Sequence, residues 1–391
     1  MFPAASAPIE PRDPSSLEDA LLAAFDAAGF ARIHPPILQP ADVFLDLSGE
    51  SIRRRMYLTA DAEGRELCLR PDLTIPVARA VIAGGMRMPA RVSYLGPVFR
   101  FRGEGSGEFR QAGVESFGRT DIEAADAEIV ALGLNACALY GLPQPQIRLG
   151  DVGLFAALLE ALPLAPALRR RLLKDFGQGR LDADLGRLRD RPQEGASAHA
   201  GVLAALAGAD PAAARALITD LLSIAGISTV GGRTVSEIAE RFLEQSSLEA
   251  GAGLSAETAQ ILSRYLSISG TPDDASARMR ALTAEAGIDI SAALDVFDRR
   301  SGFLTAYAVN LADVRFSTAF GRPLDYYSGM VFELHDPKAS ISDRTAGPLV
   351  AGGRYDKLLS RLGAEHCVPG VGLAAWVERL AALDLSAEAA R

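Results

Sequence analysis

One short stretch concentrates side chains able to bind a small polar ligand: Arg322, Leu324, Asp325, Tyr326 and Tyr327, then Met330, Val331, Phe332, Glu333 and Leu334. A guanidinium donates to a carboxylate or phosphate, a carboxylate accepts from an ammonium, and a phenol does either. The tail favours a pleated surface. Strand alternation there would let only one of Tyr326 and Tyr327 face a given pocket. A second polar set is Gln111, Gly113 and Glu115. They share parity on a strand expected over 109–117, so the amide and the carboxyl face one side with only a glycine between them. That leaves room for a ligand on a shallow polar floor. A third set is Asp72 and Thr74, either of which reads first as the cap of a helix running to about residue 82, with Pro76 in its first turn.

Other chemistries find little support. The four histidines, His34, His199, His335 and His366, lack metal-ligand spacing, so neither a metal nor a cofactor is expected. The three cysteines are far apart and odd in number, which fits a reducing cytoplasm. No apolar run reaches membrane-spanning length, and no basic-then-apolar leader opens the chain. A net charge of -9 gives no overall basic footprint for nucleic acid.

The elements that must position these residues follow from period and punctuation. Ser15 to Glu18 forms a capping-box pattern, and Leu17, Leu21, Phe25 and Ala28 recur at helical spacing before Gly29. Pro35, Pro36 and Pro40 force an extended segment at a sheet edge or dimer seam. A hairpin is expected over 56–70, strands over 92–101 and 109–117, a helix over 121–140, a short strand over 147–150 and a helix over 152–162. An alanine- and leucine-rich block follows, broken at Gly208, at Gly231-Gly232 and at the turn 269–272. Thr234 to Glu237 repeats the capping-box pattern. Near the end, 371–373 reads as a short strand leading into a helix over 374–383. With 391 residues, two domains or one domain with a large insertion are expected.

Five stretches, in order, resemble the catalytic domain of histidyl-tRNA synthetases, which have a class II aminoacyl-tRNA synthetase fold. Residues 33–39 resemble motif 1, with Pro36 as the dimer-interface proline. Arg70-Pro71-Asp72-Leu73-Thr74 resembles the Arg-Pro-Glu-x-Thr loop, with aspartate for the usual glutamate. Gly96 to Arg100, with Gln111, Gly113 and Glu115, resembles motif 2. The 322–334 stretch resembles the histidine signature, and 352–380 resembles motif 3. The resemblance implies an α+β fold, an antiparallel sheet flanked by helices. It divides the chain into a first core part over 1–164, a helical insertion over 165–300 and a second core part over 301–391; the anticodon-binding domain that follows motif 3 in the synthetases is, as a departure from them, not expected here. It also implies a histidine site. Asp72, Thr74 and Gln111 would surround the amino group, Glu115 and Tyr327 the imidazole, and Arg322 the carboxylate, with Arg100 and Tyr326 alongside.

The departures point to a paralogue. Arg102 stands where the synthetases carry an adenine-reading glutamate, and residues 103–108 replace an arginine-rich loop with acids and glycines. Trp376 replaces a small residue three before Arg379. Together these resemble the regulatory subunits of ATP phosphoribosyltransferase. That family implies a non-catalytic, cytoplasmic chain that self-associates as a dimer, binds L-histidine, assembles with a short-form catalytic subunit and does not bind tRNA. No acidic pair ahead of a phosphate-cradling loop is present, as chemistry on phosphoribosyl pyrophosphate would need. Retained Arg100, Arg322 and Arg379 keep open a truncated synthetase-like enzyme that activates histidine with ATP. Asp72 leaves room for another amino acid.

Overall fold

In the computed structural model, runs rich in β-branched and aromatic residues become strands, and runs with one apolar face become helices. The structure describes residues 14–48, 50–101, 106–177, 181, 229–230, 233–234, 254–322, 324, 326–339 and 347–388. The strands are β1 (Ala31–Arg32), β2 (Leu38–Pro40), β3 (Leu58–Ala60), β4 (Glu66–Leu69), β5 (Ala90–Phe99), β6 (Glu108–Phe117), β7 (Gln146–Asp151), β8 (Thr229–Val230), β9 (Arg233–Thr234), β10 (Ser269–Gly270), β11 (Val314–Ser317), β12 (Met330–His335), β13 (Val350–Arg354) and β14 (Gly370–Trp376). Nine of them form one sheet in the order β1-β5-β6-β14-β13-β12-β7-β11-β10. From β5 to β7 every pairing is antiparallel, and the parallel pairs β1–β5 and β11–β7 lie outside that block. The expected α+β class and antiparallel sheet are therefore present. A second sheet, β2-β4-β3, contains the expected hairpin.

One face of the large sheet is covered by helices. Helix Ile122–Leu139 lies across β12, β13 and β14, where Gly133 brings its backbone close to Phe332, Leu334 and Val350. Phe332, Leu334, Val350, Leu373 and Val114 are all buried in the resulting core. Each such side chain contributes roughly 1.5–3 kcal/mol by leaving water. Described residues from both ends of the span expected as an insertion, 165–300, pack into this core, Leu168, Leu172 and Phe176 among them. Helices Ala256–Leu266, Pro272–Glu285 and Ser291–Ala306 bury Leu262, Met279 and Phe297 in that same core, and β10 joins the large sheet. Most of 178–253 lies outside the described residues, including Gly208, Gly231, Gly232 and the pattern after Thr234.

Helix Pro14–Ala27 contains the Ser15 to Glu18 pattern, and Glu18 pairs with Arg110 at 2.7 Å. One local expectation is corrected. β14 continues to Trp376 and its helix starts only at Val377, because the strand is hydrogen-bonded on both sides, to β6 and β13.

A buried charge network joins the layers. Asp126, on helix Ile122–Leu139, is 0% exposed. Its carboxylate accepts from Arg300 Nε at 2.7 Å and from Arg354 Nε at 2.8 Å. Arg300 also donates to Asp151 at 2.6 Å, and Asp151 caps helix Val152–Ala161 by accepting from the N–H of Gly153 and Leu154. Arg354 reaches Asp356 at 2.7 Å. Burial works against the charge of Arg300, but Asp151 and Asp126 outweigh it and raise its pKa.

Removing one member of such a network leaves charge buried without a partner. Asp126→Ala is expected to cost about 3–5 kcal/mol in urea unfolding. Glu285→Ala, which breaks an exposed pair with Arg264, should leave the midpoint nearly unmoved. Equal, small effects of the two would show that the network does not stabilise the fold.

Candidate functional site

Register decides which side chains share the open face of the sheet. On β6, Gln111, Gly113 and Glu115 alternate with residues of the helix-covered side. Opposite them on β5 stand Gly96, Tyr94 and Val92, and on β14 stand Trp376, Ala374 and Gly372. Gly353 of β13 pairs with Gly372. Two glycines make the floor. A Cβ at Gly113 would lie 2.4 Å from the Tyr94 hydroxyl, and one at Gly372 would lie 1.8 Å from Glu115 Oε2 and 2.4 Å from the Tyr355 hydroxyl.

Glu115 is 0% exposed. Its Oε1 lies 3.3 Å from the Tyr94 hydroxyl, which also lies 3.2 Å from the Leu373 carbonyl oxygen. Tyr94 has one proton and the carbonyl can only accept. The single Tyr94 proton can serve only one of these acceptors at a time. Burial pushes the Glu115 carboxyl up to about 8, with the charge of Asp72 adding to it and hydrogen bonds from Thr74 and Tyr94 opposing it. Glu115 Oε2, Gln111 Oε1 and the Tyr355 hydroxyl are buried and have no hydrogen-bond partner among the described residues.

Asp72 lies just ahead of helix Thr74–Ala83 and accepts from the Ile75 N–H at 3.2 Å. It therefore does serve the helix start, as its position first suggested. Burial raises its pKa, and Arg100 is the chief opposing charge. Arg100 donates to the Pro71 carbonyl at 2.6 Å. Burial lowers its pKa to about 10, partly offset by Asp72 and reinforced by the neighbouring charges of Arg55 and Arg322.

The third side is aromatic. Tyr326 and Tyr327 have ring centroids 4.9 Å apart, and both approach Tyr355, at 5.7 and 6.2 Å. The expectation that only one of the pair faces the pocket is corrected. Both residues precede β12 in a turn, so strand alternation does not apply. Arg322 donates to the Tyr327 hydroxyl at 2.9 Å.

All eight expected residues thus gather on one face: Asp72, Thr74, Arg100, Gln111, Glu115, Arg322, Tyr326 and Tyr327. Tyr94 and Tyr355 join them without having been singled out. Tyr94 could have been found from the register that sets it opposite Gly113, and Tyr355 from the glycine pair just before it. Asp325, Arg102 and residues 103–105 lie outside the described residues. Trp376 lines the far end beside Gln111, with the Arg379 guanidinium 5.1 Å from the centre of its ring. Among the described residues no cluster of His, Cys, Asp and Glu is arranged to bind a metal.

Known proteins resemble this chain in sequence and in fold. The family model for histidyl-tRNA synthetase matches residues 6–219 and 212–380. ATP phosphoribosyltransferase regulatory subunits of Brucella canis and Brucella ovis are each 38% identical over 371 residues, covering 94% of this chain and 97% of theirs. Among solved structures, an ATP phosphoribosyltransferase regulatory subunit/histidyl-tRNA synthetase from Bacillus halodurans superposes with a TM-score of 0.66 at 21% identity, covering 97% of this chain and 83% of its own. Histidyl-tRNA synthetase from a Nostoc species gives 0.62 at 17% identity, covering 96% and 72%. At those identities the structural likeness speaks for the fold alone.

The raised Glu115 pKa has a measurable consequence. Between an ordinary glutamate pKa of about 4.3 and the folded value, the native protein retains a proton that the unfolded chain has lost. Wild-type stability should therefore fall as pH rises from 5 to 8, by at most about 1.4 kcal/mol per pH unit from this group. Glu115→Gln cannot titrate. Its stability relative to wild type should improve steadily from pH 5 to pH 8 in urea unfolding, and a constant difference would mean that Glu115 ionises normally.

Proposed function

Since this chain belongs to the family of ATP phosphoribosyltransferase regulatory subunits, built on the histidyl-tRNA synthetase fold, we propose that it binds free L-histidine in the polar box and conveys that occupancy to a short-form catalytic subunit as inhibition. The chain is a non-catalytic subunit of the enzyme that opens histidine biosynthesis. The observation that carries the ligand assignment is the convergence of unpartnered buried groups, Glu115 Oε2, Gln111 Oε1 and the Tyr355 hydroxyl, with a carboxylate and two arginines. A free amino acid needs an acceptor for its ammonium, which Asp72 and Gln111 supply. Its carboxylate needs donors, which Arg322 and Arg100 supply. Histidine adds two ring nitrogens, and Glu115 with Tyr327 and Tyr355 provides polar partners for both. A buried polar group left unmet is costly, so a ligand that supplies partners to these groups gains by it.

The inhibition follows from linkage. Histidine must favour one global state of the complex over another, and the catalytic subunit's state must in turn alter histidine affinity. We further propose that the building block is a symmetric dimer through the segment around Pro36. Ile37 and Leu38 are 41% and 50% exposed there, which suits an apolar seam. No helix among the described residues is long and apolar enough to cross a membrane, and we assign the complex to the cytoplasm. We do not expect tRNA to be a partner.

A second reading, histidine activation with ATP, is favoured by the retained Arg100, Arg322 and Arg379. Trp376 speaks against it. It is 6% exposed and lies beneath the Arg379 guanidinium, so an aromatic ring already stacks on that cation.

Three measurements separate these readings. Calorimetry should detect L-histidine binding to the isolated chain, and Glu115→Ala should weaken it by about 1–3 kcal/mol. In the assembled complex, Tyr327→Ala should leave product formation intact while raising the histidine inhibition constant several-fold, on the scale of coupling energies of about 1–3 kcal/mol. Histidine-dependent pyrophosphate–ATP exchange should stay at background. Pocket variants that assemble and remain as histidine-sensitive as wild type would place the regulatory site elsewhere, and robust exchange would favour the synthetase reading.

A further inference from the structure

Glu333 lies on β12 facing the same side as the box, opposite Ala351 of β13 and Arg148 of β7. It is not within the box, yet its side chain is only 15% exposed. One carboxylate oxygen is 3.3 Å from Arg322 Nε. The other is 3.0 Å from His335 Nε2 and 3.9 Å from Arg148 Nη1. Arg148 in turn stacks over Phe320, on the segment that carries Arg322. Burial alone would raise the Glu333 pKa, but the bond to His335 and the charge of Arg322 reverse that and hold it below the ordinary range. Glu333 therefore presents a full negative charge to Arg322 at neutral pH.

Arg322 needs such a partner. It belongs to no strand or helix, and a long side chain on irregular backbone loses much rotamer freedom when a ligand fixes it. Two groups flank its guanidinium: the Glu333 carboxylate, an ion pair 3.3 Å from Nε that makes no hydrogen bond there among the described residues, and the Tyr327 hydroxyl, which accepts from Nη1. Ordering the fork before the ligand arrives removes part of the cost of binding.

We infer that Glu333 is a positioning residue for ligand binding: it clamps Arg322 in the orientation that receives the carboxylate of a bound amino acid. The inference rests on the histidine-binding reading above and adds a residue outside the box to it. Its signature is selectivity, because a clamp on the carboxylate-binding arginine matters only for ligands that carry a carboxylate.

The test measures L-histidine and histamine, which lacks the carboxylate, by calorimetry on wild type, Glu333→Gln, Glu333→Asp, Arg322→Lys and the double variant Glu333→Gln/Arg322→Lys. Thermal melts identify the variants that fold, and Glu333→Asp keeps the charge should Glu333→Gln unfold. We expect Glu333→Gln and Glu333→Asp to lose at least about fivefold in L-histidine affinity. Histamine affinity should stay within about twofold, and Glu333→Gln should add little once Arg322 is lysine. Equal losses for both ligands, no loss for either, or fully additive losses with Arg322→Lys would overturn the inference while leaving the histidine site standing. Failure of wild type itself to bind L-histidine would overturn the histidine reading, and this inference with it.

Discussion

The carboxylate of Asp126 is the constraint on which the rest of the structure depends. It is withdrawn from water, and its two arginines come from 174 and 228 residues away along the chain. A lone buried carboxylate is far too costly to tolerate, so helix Ile122–Leu139, helix Ser291–Ala306 and β13 must dock together or not at all. Arg300 extends the requirement to Asp151 and the start of helix Val152–Ala161. Arg354 extends it the other way. The residues on either side of it, Gly353 and Tyr355, line the ligand box, so the charges on the helix side of the sheet fix the geometry of the open side.

The box itself works by balancing opposed terms. Burial alone would discharge Glu115, Asp72 and Arg100, and each is shifted in that direction. Asp72 and Arg100 oppose the shift by facing one another. Among the described residues Glu115 is steadied by no cation and instead leans on the Thr74 and Tyr94 hydroxyls, which leaves its second oxygen open to an N–H donor from outside. Trp376 closes the end of the same floor next to Gln111, which limits the length of what can lie along β6 and β14.

The periodic features were legible in the sequence. Parity alone puts Gln111 and Glu115 on one face, and the punctuation around Asp61 and Gly64 reveals the hairpin of β3 and β4. Features set by long-range pairing were not. Nothing local shows that the alanine- and leucine-rich helices after 254 join the main core. Asp126, Arg300 and Arg354 read as ordinary surface charges until the fold brings them together. Tyr326 and Tyr327 show a different effect: aromatic neighbours ahead of a strand look like part of it, although Asp325 before them and the Ser328-Gly329 pair after them mark a turn. Trp376 looked like the start of a helix because 374–383 is helix-favouring in composition, whereas hydrogen bonding to β6 and β13 keeps it extended.

The pairing of β6 with β14 also sets an order of events. The contact between the Tyr94 hydroxyl and the Leu373 carbonyl spans 279 residues. At ribosomal rates of about 5–20 residues per second, the floor strand β6 is outside the ribosome for tens of seconds before its neighbour has been made. Throughout that interval one edge of β6 carries unpaired backbone groups, a template for pairing with the wrong chain. The polar floor therefore cannot be completed until β14 has been made, and of the described elements only helix Val377–Glu388 comes after it.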